Sequence, residues 1–449
     1  MISLSLRELA AALNCAGPSH DVRVESIVTD SRKVHHGTLF AALTGNNVDG
    51  HDFAESAMNL GAAALLVDRR LNLDIPQLVV DDVLMALGRL ATLLRERIDP
   101  VVVGITGSNG KTTVKEMIAS ILALEGGVLA TRGNYNNELG VPLSLFDLEP
   151  QHRYAVLEMG ASKAGDIAYL SAVARPDTGL ITNIGPAHLQ GFGSEEGAAR
   201  AKGEIYASLP PDGRAVINAD EPWAPLWKEM NSAGDVLTFG AGSGCDVQLV
   251  EKADCPRITT PQGDFDIELP LPGRHNLINA AAATTACLGL GVDLALISQG
   301  LKSVRPVPGR LNLLKTAAGW TVIDDTYNAN PASLYSALQV LAGMQGKAWL
   351  VLGDMKELGE NSHKMHREVG EAAKAMGVRR LYTTGELAAN TADAFGAGAE
   401  HYESRDELAE ILESRLQPGV ICLVKGSRSM GMEAIVEAIT RTAEMREAS

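Results

Sequence analysis

Along most of the chain, short apolar runs alternate with stretches whose apolar positions recur at helical spacing. The clearest case begins with Val101-Val102-Val103-Gly104-Ile105-Thr106, a run suited to a buried strand. A glycine-containing loop follows, then an apolar stripe at Val114, Met117, Ile118, Ile121 and Leu122. Those positions lie on one face of a helix, which Gly126-Gly127 ends. Further strands are predicted at Tyr154–Leu157 and Thr178–Thr182, with helices between them. Such β-α alternation predicts a mostly parallel sheet covered by helices on both faces.

Upstream, Ala62–Val67 and Gln77–Val80 read as strands of a small α/β unit, and Val83–Arg97 as a helix stopped at Asp99-Pro100. The first boundary falls just before that helix. Between Val236 and Leu269 the apolar period shifts to two. Asp246–Val250 and Phe265–Leu269, flanking Pro261-Gln262-Gly263, predict antiparallel strands joined by a turn. The uncharged run Asn276–Val292 is too polar and too short to cross a bilayer and reads as a buried helix. Val304–Arg310 is a stiff linker rich in proline. Beyond it, Val322–Asp325, Ala348–Leu352, Arg380–Tyr382 and Val420–Val424 alternate with helical patterns. The expected fold class is therefore α/β in three domains, 1–82, 83–310 and 311–449, the central one a mononucleotide-binding sheet with a small antiparallel meander.

The length of 449 residues agrees, at roughly 150 residues per domain. Basic residues number 39 against 55 acidic, a net charge of -16. That balance argues against nucleic acid or anionic lipid as partners, and any anionic ligand must be held by a local site. Five cysteines with no Cys-x-x-Cys pair indicate neither a disulfide framework nor a zinc ribbon, and reduced thiols predict a cytoplasmic protein. Arg7 and Glu8 interrupt the stretch where a signal peptide needs its apolar core.

The loop after the first central strand is Gly107-Ser108-Asn109-Gly110-Lys111-Thr112-Thr113. Backbone N–H groups of such a loop and the positive end of the following helix cradle polyphosphate, the lysine neutralises it, and the next hydroxyl suits Mg²⁺. Ile105 stands where the longer phosphate-loop pattern requires glycine, so ordinary kinases and motor ATPases are the poorer comparison. Asn134, Asn136 and Asn137 crowd one short segment that could equally be a plain turn. Glu158 and His188 each follow a strand, where ligands of open α/β sheets gather. With Lys111 nearby they could hold a second metal ion.

These motifs, together with Ala201-Lys202 and His275-Asn276-Leu277-Ile278-Asn279, fall in the order seen in the Mur ligases of peptidoglycan synthesis, which the chain resembles along its whole length. Asp324–Pro331 and Leu352–Gly359 are similar to the motifs of members that add D-alanyl-D-alanine, and Thr29–Arg32, Leu39-Phe40 and Asp49–His51 to a UDP-sugar domain. The resemblance implies a Rossmann-like C-terminal domain and an ATP-dependent amide ligase with two Mg²⁺ ions. It implies UDP-N-acetylmuramoyl-tripeptide and D-alanyl-D-alanine as substrates, and a monomer. The alternatives are a Mur-type ligase for another amino acid, or a phosphate-loop ATPase or kinase. By the same resemblance Lys111 holds the ATP phosphates, Thr112, Glu158 and His188 ligate metal, and Lys202 is carbamylated. Asn276 and Asn279 meet the adenine, Arg310 the γ-phosphate, and Asp325 and Asp354 the nucleotide. Asn134, Asn136, Asn137 and Asn328 face the peptide substrates, and Ser31 the uridine end. Lys425-Gly426-Ser427-Arg428 reads either as a carboxylate site or as a surface loop.

Overall fold

The structure is a computed structural model that describes residues 1–18, 20–45, 47–185, 189–251 and 255–447. Among these, the central sheet has nine strands. From one edge to the other they are Gly263–Asp266, Arg257–Thr260, Val247–Val250, Asp235–Gly240, Arg214–Asn218, Thr178–Ile181, Val101–Thr106, His152–Glu158 and Gly127–Ala130. The last six of that order pair in parallel with their neighbours.

Successive residues of a strand point to opposite faces, and here both faces are covered. Val102, Ala155, Leu157, Ile181, Ala215 and Ile217 enter one core, against helices Val83–Ile98, Asp166–Ala174 and Glu195–Ala207. Their neighbours Val103, Ile105, Val156, Leu180 and Val216 enter another, against Lys111–Leu122, Arg274–Gly289 and Leu294–Lys302. Burial on both sides explains why these strands read as continuous apolar runs instead of alternating ones.

The period-two region differs from expectation in its pairing. Val247–Val250 does not meet Gly263–Asp266; an intervening strand, Arg257–Thr260, pairs antiparallel with both. Its sequence, Arg-Ile-Thr-Thr, carries one apolar residue, and the last strand runs over Gly263–Asp266, not over the expected Phe265–Leu269. The meander is also no separate module, because Val247–Val250 pairs with Asp235–Gly240 and so extends the main sheet.

In the N-terminal region four parallel strands, Ser26–Val28, Thr38–Ala41, Ala64–Val67 and Gln77–Val79, lie in chain order. The helix Val83–Ile98 joins this region to the central sheet through one continuous core that runs from Leu6 and Leu9 to Val141 and Leu145. Its buried Arg95 donates to Asp99, Asp177 and the Ala174 carbonyl. Asp99 closes the helix with φ 52, so a left-handed cap as well as Pro100 stops it.

The C-terminal sheet has six strands in the order Asn312–Lys315, Thr321–Asp325, Val420–Lys425, Lys347–Gly353, Arg380–Thr384 and Ala399–Tyr402. Only the first pair is antiparallel. Asp325 and Lys425, at the carboxyl ends of Thr321–Asp325 and Val420–Lys425, line one cavity with Ser108, Asn109 and Gly110 of the central sheet's glycine loop. No described helix is long and apolar enough to cross a membrane.

Candidate functional site

The strand Val101–Thr106 delivers a loop that only glycine could shape at two points. Gly107 has φ +145, and a Cβ there would overlap the Thr182 hydroxyl. Gly110 has φ +81, and a Cβ would sit 2.7 Å from Asn279 Oδ1. Gly110 brings no side chain to cap the helix Lys111–Leu122, so its first N–H groups stay free for an anion. Lys111 Nζ folds back to donate to the Gly107 and Ser108 carbonyls at 2.7 and 3.4 Å. Burial lowers the pKa of Lys111, Glu158 opposes that, and Arg310 adds to it.

The loop is held from behind by the adjacent strand end. Asn183 Oδ1 accepts the Asn109 N–H at 3.0 Å while its Nδ2 donates to the Asn109 carbonyl, also at 3.0 Å. Thr182 Oγ1 donates to that carbonyl at 2.6 Å, and Asn218 Nδ2 to the Thr182 carbonyl at 2.8 Å. Beside the loop, Thr112 Oγ1 donates to Glu158 Oε2 at 2.8 Å, and Asn136 Nδ2 to Glu158 Oε1 at 2.8 Å. The Glu158 backbone is pinned in turn by Thr131 Oγ1 at 3.0 Å.

These groups open into a cavity of about 770 Å³ between the central and C-terminal sheets. Of the expected site residues, Ser108, Asn109, Gly110, Lys111 and Thr113 of the loop line it, with Glu158 and Lys202. Asn134, Asn136 and Asn137 form one wall, Asn276 and Asn279 another, and Arg310, Asp325 and Asn328 face them from the linker and C-terminal side. Gly107 and Thr112 stand behind this surface. Asn137 also accepts the Gly140 N–H, so part of the cluster does serve a turn. Two expected residues lie elsewhere. Ser31 begins a short turn in the N-terminal region, and Asp354 is buried with its carboxylate accepting the Ala388 N–H at 2.8 Å. His188 lies outside the described residues.

Lys202 is only 2% exposed, on the helix Glu195–Ala207, with Nζ 5.3 Å from the centre of the Phe192 ring. Burial, with Lys111 adding and Asp166 opposing, brings its pKa down to about 7. Its amine is thus neutral in a large fraction of molecules near neutral pH.

Across the cavity, Arg310 reaches Thr112 Oγ1 at 3.3 Å, and its guanidinium carbon lies 3.9 Å from the centre of the Tyr327 ring. Lys425 is no surface-loop residue. It ends a fully buried strand, and its Nζ meets Asp325 Oδ2 at 2.6 Å and the Asn328 carbonyl at 2.8 Å. Burial draws the Lys425 pKa down while Asp325 draws it up. Asn330 Nδ2 donates to Asn109 Oδ1 at 2.8 Å, a direct bond from the C-terminal domain to the phosphate loop. Asn330 also caps the helix Pro331–Gly343 in a reciprocal box with Ser333.

Asn183, Asn330 and Tyr327 were not among the residues expected from sequence, and Lys425 was read there as either a carboxylate site or a surface loop. Asn330-Pro331 followed by Ser333 is a helix-start signature that could have located Asn330, although not its second bond. Nothing local marks the pairing of Lys425 with Asp325, which is distant in sequence.

The chain matches the Mur ligase family catalytic domain over residues 23–93, the Mur ligase middle domain over 105–287, and the Mur ligase glutamate ligase domain over 309–428. It is 42% identical to the UDP-N-acetylmuramoyl-tripeptide–D-alanyl-D-alanine ligase of Escherichia coli K12, covering 98% of this chain and 99% of that one. Identity to the Bacillus subtilis 168 enzyme of the same name is 36%, covering 97% and 98%. Among solved structures, a MurF from Acinetobacter baumannii superposes with TM-score 0.91 at 34% identity, covering 98% and 99%. A MurF ligase from Thermotoga maritima in complex with ADP gives 0.85 at 31%, covering 94% and 98%. With relatives of this similarity along its full length, the chain belongs to the Mur ligase family.

Proposed function

We propose that the protein is the ATP-dependent ligase that joins D-alanyl-D-alanine to UDP-N-acetylmuramoyl-tripeptide in cytoplasmic peptidoglycan precursor synthesis. The observation that carries this reading is the single cavity in which a phosphate loop, a buried carboxylate and a linker arginine converge from two domains. The tripeptide carboxylate takes the γ-phosphoryl group of ATP, giving ADP and an acyl phosphate. The dipeptide amine then attacks the acyl carbon, loses a proton and displaces phosphate.

Two anions must meet in the first step, and the net charge of -16 makes local positive groups essential. Lys111 and Arg310 are the cations assigned to the terminal phosphate, Lys111 on leaving the Gly107 and Ser108 carbonyls to which it donates. The free N–H groups of the Gly110–Lys111 turn would meet the phosphates behind it. Asn276 and Asn279 lie where the base end would rest, and the wall of Asn134, Asn136 and Asn137 faces the peptide. Asp325 borders the nucleotide space with both oxygens already engaged by Lys425 and the Leu311 N–H. Ser31 is assigned to the uridine end. Asp354 contributes by supporting its loop, given its burial away from the cavity.

The Thr112 hydroxyl and Glu158 carboxylate are hard oxygen donors held together at a strand end, which suits Mg²⁺. Magnesium bound there would supply charge neutralisation on the phosphates. Asn136 orients Glu158 by occupying one oxygen, leaving the other on the Thr112 side. Lys202, with its depressed pKa, is the amine suited to add CO2 through its lone pair, releasing a proton and leaving a carbamate anion near Lys111. His188 is assigned to the metal by its place in the sequence and the family resemblance alone. The protein acts as a monomer.

The test is phosphate release from Mg-ATP with both substrates, each omitted in turn, and mass analysis of the product. Release that needs both substrates and yields UDP-muramyl-pentapeptide supports the reading. Release indifferent to either substrate sinks it.

A further inference from the structure

The residues on either side of Arg310 are unusual in the same way. Gly309 has φ +73 and Leu311 has φ +49, and leucine rarely adopts that conformation. Each is held by a carboxylate of the strand Thr321–Asp325. Asp324 Oδ2 accepts the Gly309 N–H at 2.9 Å, and Asp325 Oδ1 accepts the Leu311 N–H at 3.2 Å. The Gly309 carbonyl in turn accepts the Tyr327 N–H at 3.1 Å, and the Tyr327 ring stacks on the Arg310 guanidinium. Asp324 is itself fixed, its Oδ1 accepting the Thr326 hydroxyl at 2.6 Å and N–H at 3.3 Å.

Linker residues normally take their geometry from their own chain. Here the backbone that launches Arg310 is gripped on both sides by the C-terminal domain, while the side chain ends on Thr112 of the central domain. We infer that Asp324 is a positioning residue: it fixes the linker turn so that Arg310 is planted against the phosphate loop and arrives there with the C-terminal domain. Arg310 thereby depends on the C-terminal domain, so that the terminal phosphate is fully neutralised only when that domain is docked on the central one. This rests on the reading that Arg310 faces the terminal phosphate.

The experiment is calorimetric binding of ADP and of a non-hydrolysable ATP analogue to the full-length protein, giving the preference for the triphosphate, together with kcat. The proteins are wild type, Arg310→Ala, Asp324→Asn and the double variant. Asn keeps the volume but has only one acceptor oxygen, so it cannot accept from both the Gly309 N–H and the Thr326 N–H, and the grip loosens. Arg310→Ala is expected to reduce the triphosphate preference about tenfold. Asp324→Asn should reduce it by a similar factor, with ADP affinity little changed, and the double variant should lose no more than Arg310→Ala alone. Additive losses in binding and kcat would show that Asp324 acts independently of Arg310 and would overturn the inference alone. An unchanged preference in Arg310→Ala would overturn the reading of Arg310 as well. Gly309→Ala gives a second route should Asp324→Asn fold poorly. Its added methyl would press 3.1 Å from the Tyr327 nitrogen at positive φ, disturbing the same turn without touching the acids. It should show the same non-additive loss with Arg310→Ala, and an unchanged preference in Gly309→Ala counts against the inference.

Discussion

Replacing Lys202 by Met should stabilise the protein near neutral pH and remove part of its pH dependence. In the folded chain burial brings the ammonium pKa from 10.5 down to about 7. Between those two values the unfolded chain holds a proton that the folded chain has lost, so stability rises with pH across that window. Each pH unit is equivalent to about 1.4 kcal/mol once the difference is complete, so the buried charge costs the fold roughly 5 kcal/mol below pH 6. That cost falls to about 4 kcal/mol at pH 7 and about 2 kcal/mol at pH 9. Methionine fills a similar volume and carries no charge. Urea unfolding of both proteins in CO2-free buffer should therefore show Lys202→Met more stable at pH 7, with the difference shrinking by about 2 kcal/mol by pH 9. A difference that stays constant with pH would refute the claim that a desolvated ammonium titrates at this position. Added bicarbonate should flatten the wild-type pH dependence, because a carbamylated nitrogen no longer titrates there.

Three other outcomes follow from the site geometry. Lys111→Ala should lower kcat for phosphate release about 100- to 1000-fold while leaving the affinity for the UDP-linked substrate unchanged, as measured by single-turnover assay and calorimetry. Gly107→Ala forces a methyl into the Thr182 hydroxyl at a φ of +145, so it should cost about 1–3 kcal/mol of stability and abolish saturable ATP binding. A variant with wild-type melting and ATP affinity would contradict the loop geometry. Asn330→Ser keeps a helix cap but is too short to reach Asn109, so its melting temperature should match wild type while the KM for ATP rises about fivefold. An unchanged KM would mean that the bond between the domain and the loop is immaterial.

Local pattern determined a good deal. The strand, loop and helix around Lys111 were legible because burial on both sheet faces leaves an uninterrupted apolar run, and because an anion cradle needs glycine at points where a side chain would collide. The helix face from Val114 to Leu122 and the uncharged helix that carries Asn276 and Asn279 were legible for the same reason: solvent exclusion dictates composition at short range. The strand Arg257–Thr260 was not, since its alternate residues stay partly open to water and only Ile258 is apolar, although it is paired on both sides.

What only the tertiary structure decided is the set of partners brought from far along the chain. Sequence offered Lys425 as a carboxylate site or a surface-loop charge, yet its partner is Asp325, which lies about a hundred positions away and is brought beside it by parallel pairing. Asn330 carries a helix-start signature, but its bond to Asn109 exists only because two domains meet. Arg310 stood out as a linker arginine, while the carboxylates that shape its turn are distant until the strand Thr321–Asp325 folds back alongside. Lys202 was marked in the sequence only by the family resemblance, and its altered acidity arises from burial on its helix with Lys111 nearby. Hydrophobic periodicity encodes which face of an element is buried. It does not encode which polar groups are buried together, because hydrogen bonds and charge interactions depend on distances that chain topology alone sets.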